Sequence, residues 1–193
     1  MPRSGPEPEF QRLPTNDSEL VRRTQRNDAA ALDELVDRHA PDLFALAISI
    51  VGNRPDAEDA VQETLVGAVK GLAAFESRSS VKTWLTKILI RQIARGRRGR
   101  RTEPLEETEP ADDHAGARPA DSTSPATQVE RRLDVQMMLQ TLSIEHREVL
   151  VLRELQGMSY SEIADAMDVP RGTVESRLHR AREQLRQRFA GYE

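Results

Sequence analysis

The chain has 193 residues, of which 37% are hydrophobic, 4% aromatic and 31% charged, with a net charge of −4 and no cysteine. That is enough apolar material for small helical cores but not for one large core, and it excludes disulfides, thiolate zinc sites and cysteine nucleophiles. No apolar run approaches membrane-spanning length and no signal-peptide apolar stretch opens the chain, so a soluble, cytoplasmic protein without membrane insertion is expected.

Residues 1–15 hold four prolines and no helical period, and they read as a disordered tail. Helical patterns begin at Asn16-Asp17-Ser18, a cluster of good N-caps, and again at Asp28, which is followed by Leu32, Leu35 and Val36 on one side. Pro41 is expected to open a separate helix as its first residue, with Leu43, Phe44, Leu46, Ala47 and Ile50 on the apolar side. After the loop Gly52–Pro55, Asp56 is expected to cap a long helix running to about Phe75. Ala57, Ala60, Val61, Thr64, Leu65, Ala68, Val69 and Leu72 form its apolar stripe. Its opposite side begins with Asp56, Glu58, Asp59, Gln62 and Glu63. First-turn carboxylates suit the helix dipole, which accounts for Asp56, Glu58 and Asp59 but not for Gln62 and Glu63 further along.

A polar loop, Glu76–Ser80, leads into a helix from about Val81 to Arg98 with Trp84, Leu85, Ile88, Leu89 and Ile93 as its apolar residues. Lys87, Arg91, Arg95 and Arg98 recur at helical spacing as one basic stripe. Lys87–Arg101 contains seven positive charges and no acid. That exceeds what the dipole at a helix C-terminus explains and points to phosphate contact.

From Thr102 to Thr127 the composition inverts, with seven acids against one arginine and four prolines, so this stretch reads as a flexible acidic linker. It divides the chain into helical domains over 16–101 and 128–189. The second opens with Val129, Leu133, Met137, Leu139 and Leu142. Ser143 then caps the helix IEHREVLVLRELQ, which Gly157 is expected to end.

Ser159 and Glu162 form a capping box for a short helix, and Asp168-Val169-Pro170 stops it. A last helix starts near Arg171 with Val174, Leu178, Ala181 and Leu185 buried on one face. Arg171–Arg188 carries six arginines against two acids. A capped short helix, a tight turn and an arginine-rich second helix is the arrangement of a helix-turn-helix that enters the DNA major groove. Thr173, Ser176 and Arg177 lie near the start of that helix, within reach of base edges, and the later arginines suit phosphates. No strand pattern or internal repeat appears, and the fold class is all-α. Nothing in the sequence supports catalysis or a cofactor. The four histidines lie on separate elements without metal-ligand spacing, and no glycine-rich phosphate loop or GxSxG elbow is present.

DAEDAVQETLVGAVKGLAAF at 56–75, followed by SVKTWLTKIL at 80–89, resembles region 2 of bacterial sigma factors. LSIEHREVLVLRELQGMSYSEIADAMDVPRGTVESRLHRAREQLR at 142–186 resembles their region 4. The order of the two, the linker between them and the absence of regions 1.1 and 3 resemble the extracytoplasmic-function group. The resemblance implies a non-enzymatic subunit that binds core RNA polymerase, recognises minus-35 and minus-10 promoter elements and promotes melting. Asp56, Asp59, Gln62 and Glu63 would dock on the clamp helices of the largest polymerase subunit, with the flap region as a further contact.

Ser77, Arg78, Ser80, Lys82, Lys87, Arg91, Arg95 and Arg98 would hold the minus-10 element, and Arg171, Thr173, Glu175, Ser176, Arg177 and Arg180 the minus-35 element. Trp84 lies on the apolar face and reads as core. Many relatives carry an aromatic residue two positions after the tryptophan and an asparagine seven after it, where this chain has Thr86 and Arg91. The linker fits both a run through the polymerase interior as a nucleic-acid substitute and a plain solvated spacer. An anti-sigma protein is a further candidate partner, because many relatives are regulated in that way. Two rival readings are a stand-alone DNA-binding regulator, which leaves the polar side of 56–75 without a purpose, and an enzyme or sensor with an appended DNA-binding domain, for which the first domain offers no convergent polar cluster.

Overall fold

The structure, a computed structural model, describes residues 16–102 and 134–189, with side chains as far as Gly99 in the first span. The expected N-terminal tail, the acidic linker and the positions Gln128, Val129 and Leu133 lie outside the described residues.

Helix α1 (Asp17–Thr24) is capped by Asn16, whose side chain accepts from the Ser18 N–H, and it buries Leu20 and Val21. Helix α2 (Ala29–Val51) is capped by Asp28, as the sequence indicates, but it runs through Pro41 without a break. The expectation of a separate helix at Pro41 is corrected. An interior proline costs a helix about 3 kcal/mol, yet residues on both sides of it are anchored: Leu35 and His39 before it, Leu43, Leu46 and Ala47 after it, all buried. Burial of apolar side chains at about 1.5–3 kcal/mol each outweighs the lost bond. The helix ends at Gly52, whose φ of +86° suits a residue without Cβ.

Helix α3 (Arg54–Gly71) continues into a single 3-10 turn (Leu72–Ala74). Its cap is Asn53, which accepts from the Asp56 N–H, so the start lies earlier than the expected cap at Asp56. Pro55 sits in its first turn, where a missing N–H costs nothing. The buried face is built from small residues, Ala57, Ala60, Thr64 and Ala68, with Val61. Small side chains let α4 (Val81–Thr102) come close, and a Cβ on Gly71 would stand 3.2 Å from the Trp84 ring. Trp84 itself packs on Phe75 with ring centroids 4.8 Å apart, in agreement with its reading as core. Val69, expected in the stripe, is half exposed, and Val66 is nearly as open.

The second half begins with α5, described over residues 134–140. Helix α6 (Ile144–Glu154) is capped by Ser143. It is the axis of this half: the six consecutive residues Arg147–Leu152 are all buried, so it is enclosed on every side. It ends at Glu154, and Gly157, with φ of +67°, lies in the following turn rather than directly at the helix end. Helix α7 (Tyr160–Met167) has the full capping box of Ser159 and Glu162 and ends at Asp168 in the left-handed region. Helix α8 (Arg171–Arg188) buries Val174, Leu178 and Ala181.

The two halves pack against each other. Contacts of α2 with α6 and of α4 with α7 join them, and their apolar side chains form one continuous core.

Candidate nucleic-acid interface

Three surfaces carry the residues singled out by sequence. The first is the outer face of α3. With 3.6 residues per turn, Asp59, Gln62, Glu63, Val66, Val69 and Lys70 share one side, and all six are exposed. Asp59, Gln62 and Glu63 make no hydrogen bond or ion pair among the described residues. Asp56 sits apart, half-buried, and its carboxylate accepts from the Asn53 amide at 2.9 Å, which ties it to the helix start. Glu58 is taken by Arg54 at 2.7 Å. The structure thus leaves Asp59, Gln62 and Glu63 available and adds Val66 and Val69 beside them, an apolar patch inside a polar rim.

The second surface is the 76–80 loop with the basic stripe of α4. Ser77 holds a φ of +56°, and Arg78 pairs with Glu76 at 2.6 Å while remaining exposed. Ser80 serves the fold directly, because its hydroxyl accepts from the Thr83 N–H at 3.0 Å and caps α4. Lys82 lies 3.6 Å from Asp42 on α2. Arg91, Arg95 and Arg98 are exposed along one side, whereas Lys87 is mostly covered and lies 3.7 Å from Asp165 of α7. The side chains of Arg100 and Arg101 are outside the described residues. Thr86 is buried, at 2% exposure, and faces a small cavity that Gln156 of the second half also lines. That position is therefore interior to the packed chain.

The third surface is α8. Arg171, Glu175, Ser176 and Arg180 are exposed, and Thr173 and Arg177 are half-buried. Arg171 donates to Glu175 at 3.0 Å. This pair, one turn apart, neutralises part of the cationic face at the helix start. The Ser176 hydroxyl donates to the Thr173 carbonyl at 3.0 Å, so it turns back onto its own helix.

Sequence reasoning missed a fourth group, at the junction of the halves. The buried Arg147 guanidinium donates to the carbonyls of Leu139, Gln140 and Leu142 and, across the junction, to that of Ile50 at 2.6 Å. Ile50 lies at the end of α2, where helix carbonyls lack partners, so an arginine there acts as a cap. Burial lowers the Arg147 pKa, and the neighbouring Glu148 charge opposes that. Glu148 is itself buried, its Oε1 has no hydrogen-bond partner, and Arg97 Nη1 is 3.6 Å away. Burial pushes its carboxyl up to about 7, with Arg97 pulling the other way. Glu145 pairs with Arg97. Its burial would raise its pKa, but its own backbone N–H and the Arg97 guanidinium hold it below the usual range. The available signal was a charged pair, Arg147-Glu148, set directly before the apolar run VLVL.

Among the described residues no cluster of three metal-ligating side chains occurs, and no helix is long and apolar enough to cross a membrane.

Comparison with known proteins gives two family models, "Sigma-70 region 2" over residues 35–103 and "Sigma-70, region 4" over residues 132–185. The chain is 35% identical to the RNA polymerase sigma-H factor of Pseudomonas aeruginosa over 179 residues, 88% of this chain and 91% of that one. It is 34% identical to the ECF RNA polymerase sigma factor SigM of Mycobacterium tuberculosis over 180 residues, 92% and 86% of the two chains. Among solved structures it is similar to the sigma factor RpoE in complex with the anti-sigma factor NepR from Bartonella quintana. That match has a TM-score of 0.62 and 31% identity, and it covers 80% of this chain and 94% of the other. It is similar as well to CnrH in complex with the cytosolic domain of CnrY, with a TM-score of 0.62, 26% identity and coverage of 92% and 99%.

Proposed function

The chain belongs to the extracytoplasmic-function sigma factors of the sigma-70 family, promoter-recognition subunits of RNA polymerase, and on that premise we propose how its surfaces divide the work. The outer face of α3 docks on the clamp helices of the largest polymerase subunit through Asp59, Gln62 and Glu63, with Val66 and Val69 as the apolar centre of the contact. The observation that carries this reading is the exposure of these polar side chains without a hydrogen-bond or ion-pair partner among the described residues, on a helix whose opposite side is core. Unpaired amide and carboxylate groups around two exposed valines form a small apolar patch with a polar rim, the anatomy of a protein–protein interface.

The 76–80 loop and α4 hold the minus-10 region. Arg91 and Arg95 supply phosphate contacts, and with Arg91 in place of the asparagine common in relatives, its contact is to backbone rather than base. Helix α8 reads the minus-35 element, with Arg177 and Thr173 directed to bases and Arg171 and Arg180 to phosphates. The chain performs no chemistry of its own and works in the cytoplasm, where promoter DNA and polymerase are found. The domain limits follow the composition: 16–101 and 128–189, joined by 102–127. An anti-sigma protein is a further partner. Support comes from the RpoE neighbour, solved with the anti-sigma factor NepR, and from an apolar groove between α2, α3 and α4 lined by Leu32, Val36, Leu65, Val69 and Trp84.

The test is run-off transcription with purified core RNA polymerase on a library of upstream DNA fragments. Wild type should start at specific sites, and Gln62→Ala/Glu63→Ala should initiate at the same sites with about tenfold loss, as expected for removing two hydrogen-bonding side chains worth about 0.5–1.5 kcal/mol each. Specific DNA binding by free protein with no initiation would instead favour a stand-alone regulator.

A further inference from the structure

Helix α8 buries Val174, Leu178 and Ala181. With about 100° between successive residues, the side turned away from them holds Gly172, Ser176 and His179, with Glu175 beside these, and all four are exposed. An acid at this place stands out, because Arg171–Arg188 carries six arginines and only one other acid, Glu183. Arg171 Nε donates to Glu175 Oε1 at 3.0 Å, and Oε2 makes no hydrogen bond among the described residues. The pair is poorly placed to stabilise the helix. An arginine in the first turn stands at the positive end of the dipole, and arginine before glutamate at this spacing is the weaker of the two orders. Both side chains are open to water, at 65% and 48% exposure, so the pair adds little to stability. What it does is hold a carboxylate, its charge balanced, at the outward start of α8. Ser176 completes the pattern. Its hydroxyl donates to the Thr173 carbonyl at 3.0 Å, so only acceptor capacity is left on it, and Gly172 adds no side chain. On an arginine-rich helix, this part presents acceptors.

We infer that Glu175, positioned by Arg171, reads a cytosine of the minus-35 element by accepting a hydrogen bond from its N4 amine. The inference rests on the assignment of α8 to that element and adds the base that its acid selects. In the major groove guanine shows two acceptors and thymine one, so both oppose a carboxylate, whereas cytosine and adenine offer an amine. The adenine amine lies beside the N7 acceptor, which repels the second carboxylate oxygen. The cytosine amine lies beside a C–H, which does not. Cytosine is therefore the base that fits. Arg171 keeps its Nη groups for a phosphate, and its charge offsets the repulsion between Glu175 and the DNA backbone.

The test uses the full chain with core RNA polymerase. In an upstream fragment from which wild type initiates, the minus-35 region is randomised, and each template carries a transcribed barcode that identifies its upstream sequence. Wild type should favour cytosine over guanine and thymine about fivefold or more at one position. Glu175→Ala should level that position to within about twofold and leave the preferences elsewhere unchanged. Glu175→Gln should turn the same position towards adenine, because an amide pairs with N6 and N7 together. Arg171→Ala should weaken the cytosine preference about twofold without moving it to another base, as expected when a carboxylate loses its helical partner. Preferences retained by Glu175→Ala at every position would overturn the inference, and so would levelling of a preference for guanine or thymine. A purely structural role would lower initiation on all templates alike and shift the unfolding midpoint, and a plain charge effect would raise it on all alike; either result sinks base reading by Glu175. No initiation by wild type on any fragment would instead remove the functional reading on which the inference rests.

Discussion

Helices α3 and α6 both carry several charged residues, and the two use them in opposite ways. On α3 the polar groups Asp59, Gln62 and Glu63 lie outside, on a helix held in place by alanines and a valine underneath. On α6 Arg147 and Glu148 lie inside, flanked by Val149–Leu152, and they hold the junction between the halves. A charge in water contributes little to stability and stays available to a partner, whereas a charge in the core contributes or costs much and is committed to the fold. The difference predicts that substitutions on α6 act on stability, and on α3 on binding.

The largest effect belongs to Arg147. Its guanidinium satisfies four backbone carbonyls, one of them from the other half. Arg147→Ala leaves those acceptors without a partner in a buried place and removes one of the positive charges near Glu148, which keeps Arg97 and Arg177. The loss should be about 4 kcal/mol, measured from the denaturant midpoint, since removing one partner from a buried charged network costs about 3–5 kcal/mol. Arg147→Lys should recover only part of it, because an ammonium group cannot span four carbonyls held in a fork. A loss under about 1 kcal/mol would place Arg147 with the surface charges and erase the contrast.

Glu148 sharpens the comparison through pH. Its carboxyl titrates near 7 in the folded chain against an ordinary value of 4.5, and the cause is burial. An acid with a raised folded pKa binds more protons folded than unfolded between those values, so stability falls as pH rises from 4.5 to 7 and stays reduced above it. Glu148→Gln removes the ionisation and should stabilise the chain by about 3 kcal/mol at pH 8, by less than about 1 kcal/mol at pH 5, and hardly at all at pH 4.5. Equal effects at pH 8 and pH 5 would mean that the side chain is solvated. Because Glu148 faces Arg97 of α4, the same variant tests whether the junction is where that strain resides.

Caps stand between these extremes, and most were read from sequence, the exception being α3, capped by Asn53 rather than Asp56. Ser159→Ala should cost about 1 kcal/mol, since it removes the acceptor for the Glu162 N–H while the α7 turn remains in place. Asn16, Asp28 and Ser143 were legible for the same reason: a cap is a local rule, set by one side chain and an N–H two or three residues on. The two arginine-rich helices, α4 and α8, were legible as well, because charge periodicity is local. What the sequence did not reveal depends on contacts far along the chain. Pro41 reads locally as a helix start, and only burial on both sides of it keeps α2 whole. Val69 fits the apolar period of α3 but lies half exposed at the edge of the groove between α2, α3 and α4. Thr86 reads as a departure from a base-contacting position, yet it is buried at the junction. Arg147 and Ile50 are 97 residues apart, and no local pattern links an arginine to a carbonyl at that distance. The acceptors of the basic stripe follow the same rule: the spacing of Lys87 predicts phosphate contact, but Asp165 of the other half holds it in the packed chain.

The smallest expected effect is the one that makes the α3 assignment testable. The side chains of Asp59, Gln62 and Glu63 make no hydrogen bond or ion pair among the described residues, and each is exposed. Gln62→Ala/Glu63→Ala should therefore move the unfolding free energy by no more than about 0.5 kcal/mol, the usual range for surface positions away from caps and core. Alanine's higher helix propensity even offsets part of any loss. This near-zero result carries weight because the same variant is expected to lose most of its initiation with core polymerase. Lost initiation with unchanged stability assigns the face to a partner. Lost initiation with a stability loss of about 2 kcal/mol or more would instead mean that these side chains support α3 from outside, and α3 would then resemble α6 rather than contrast with it.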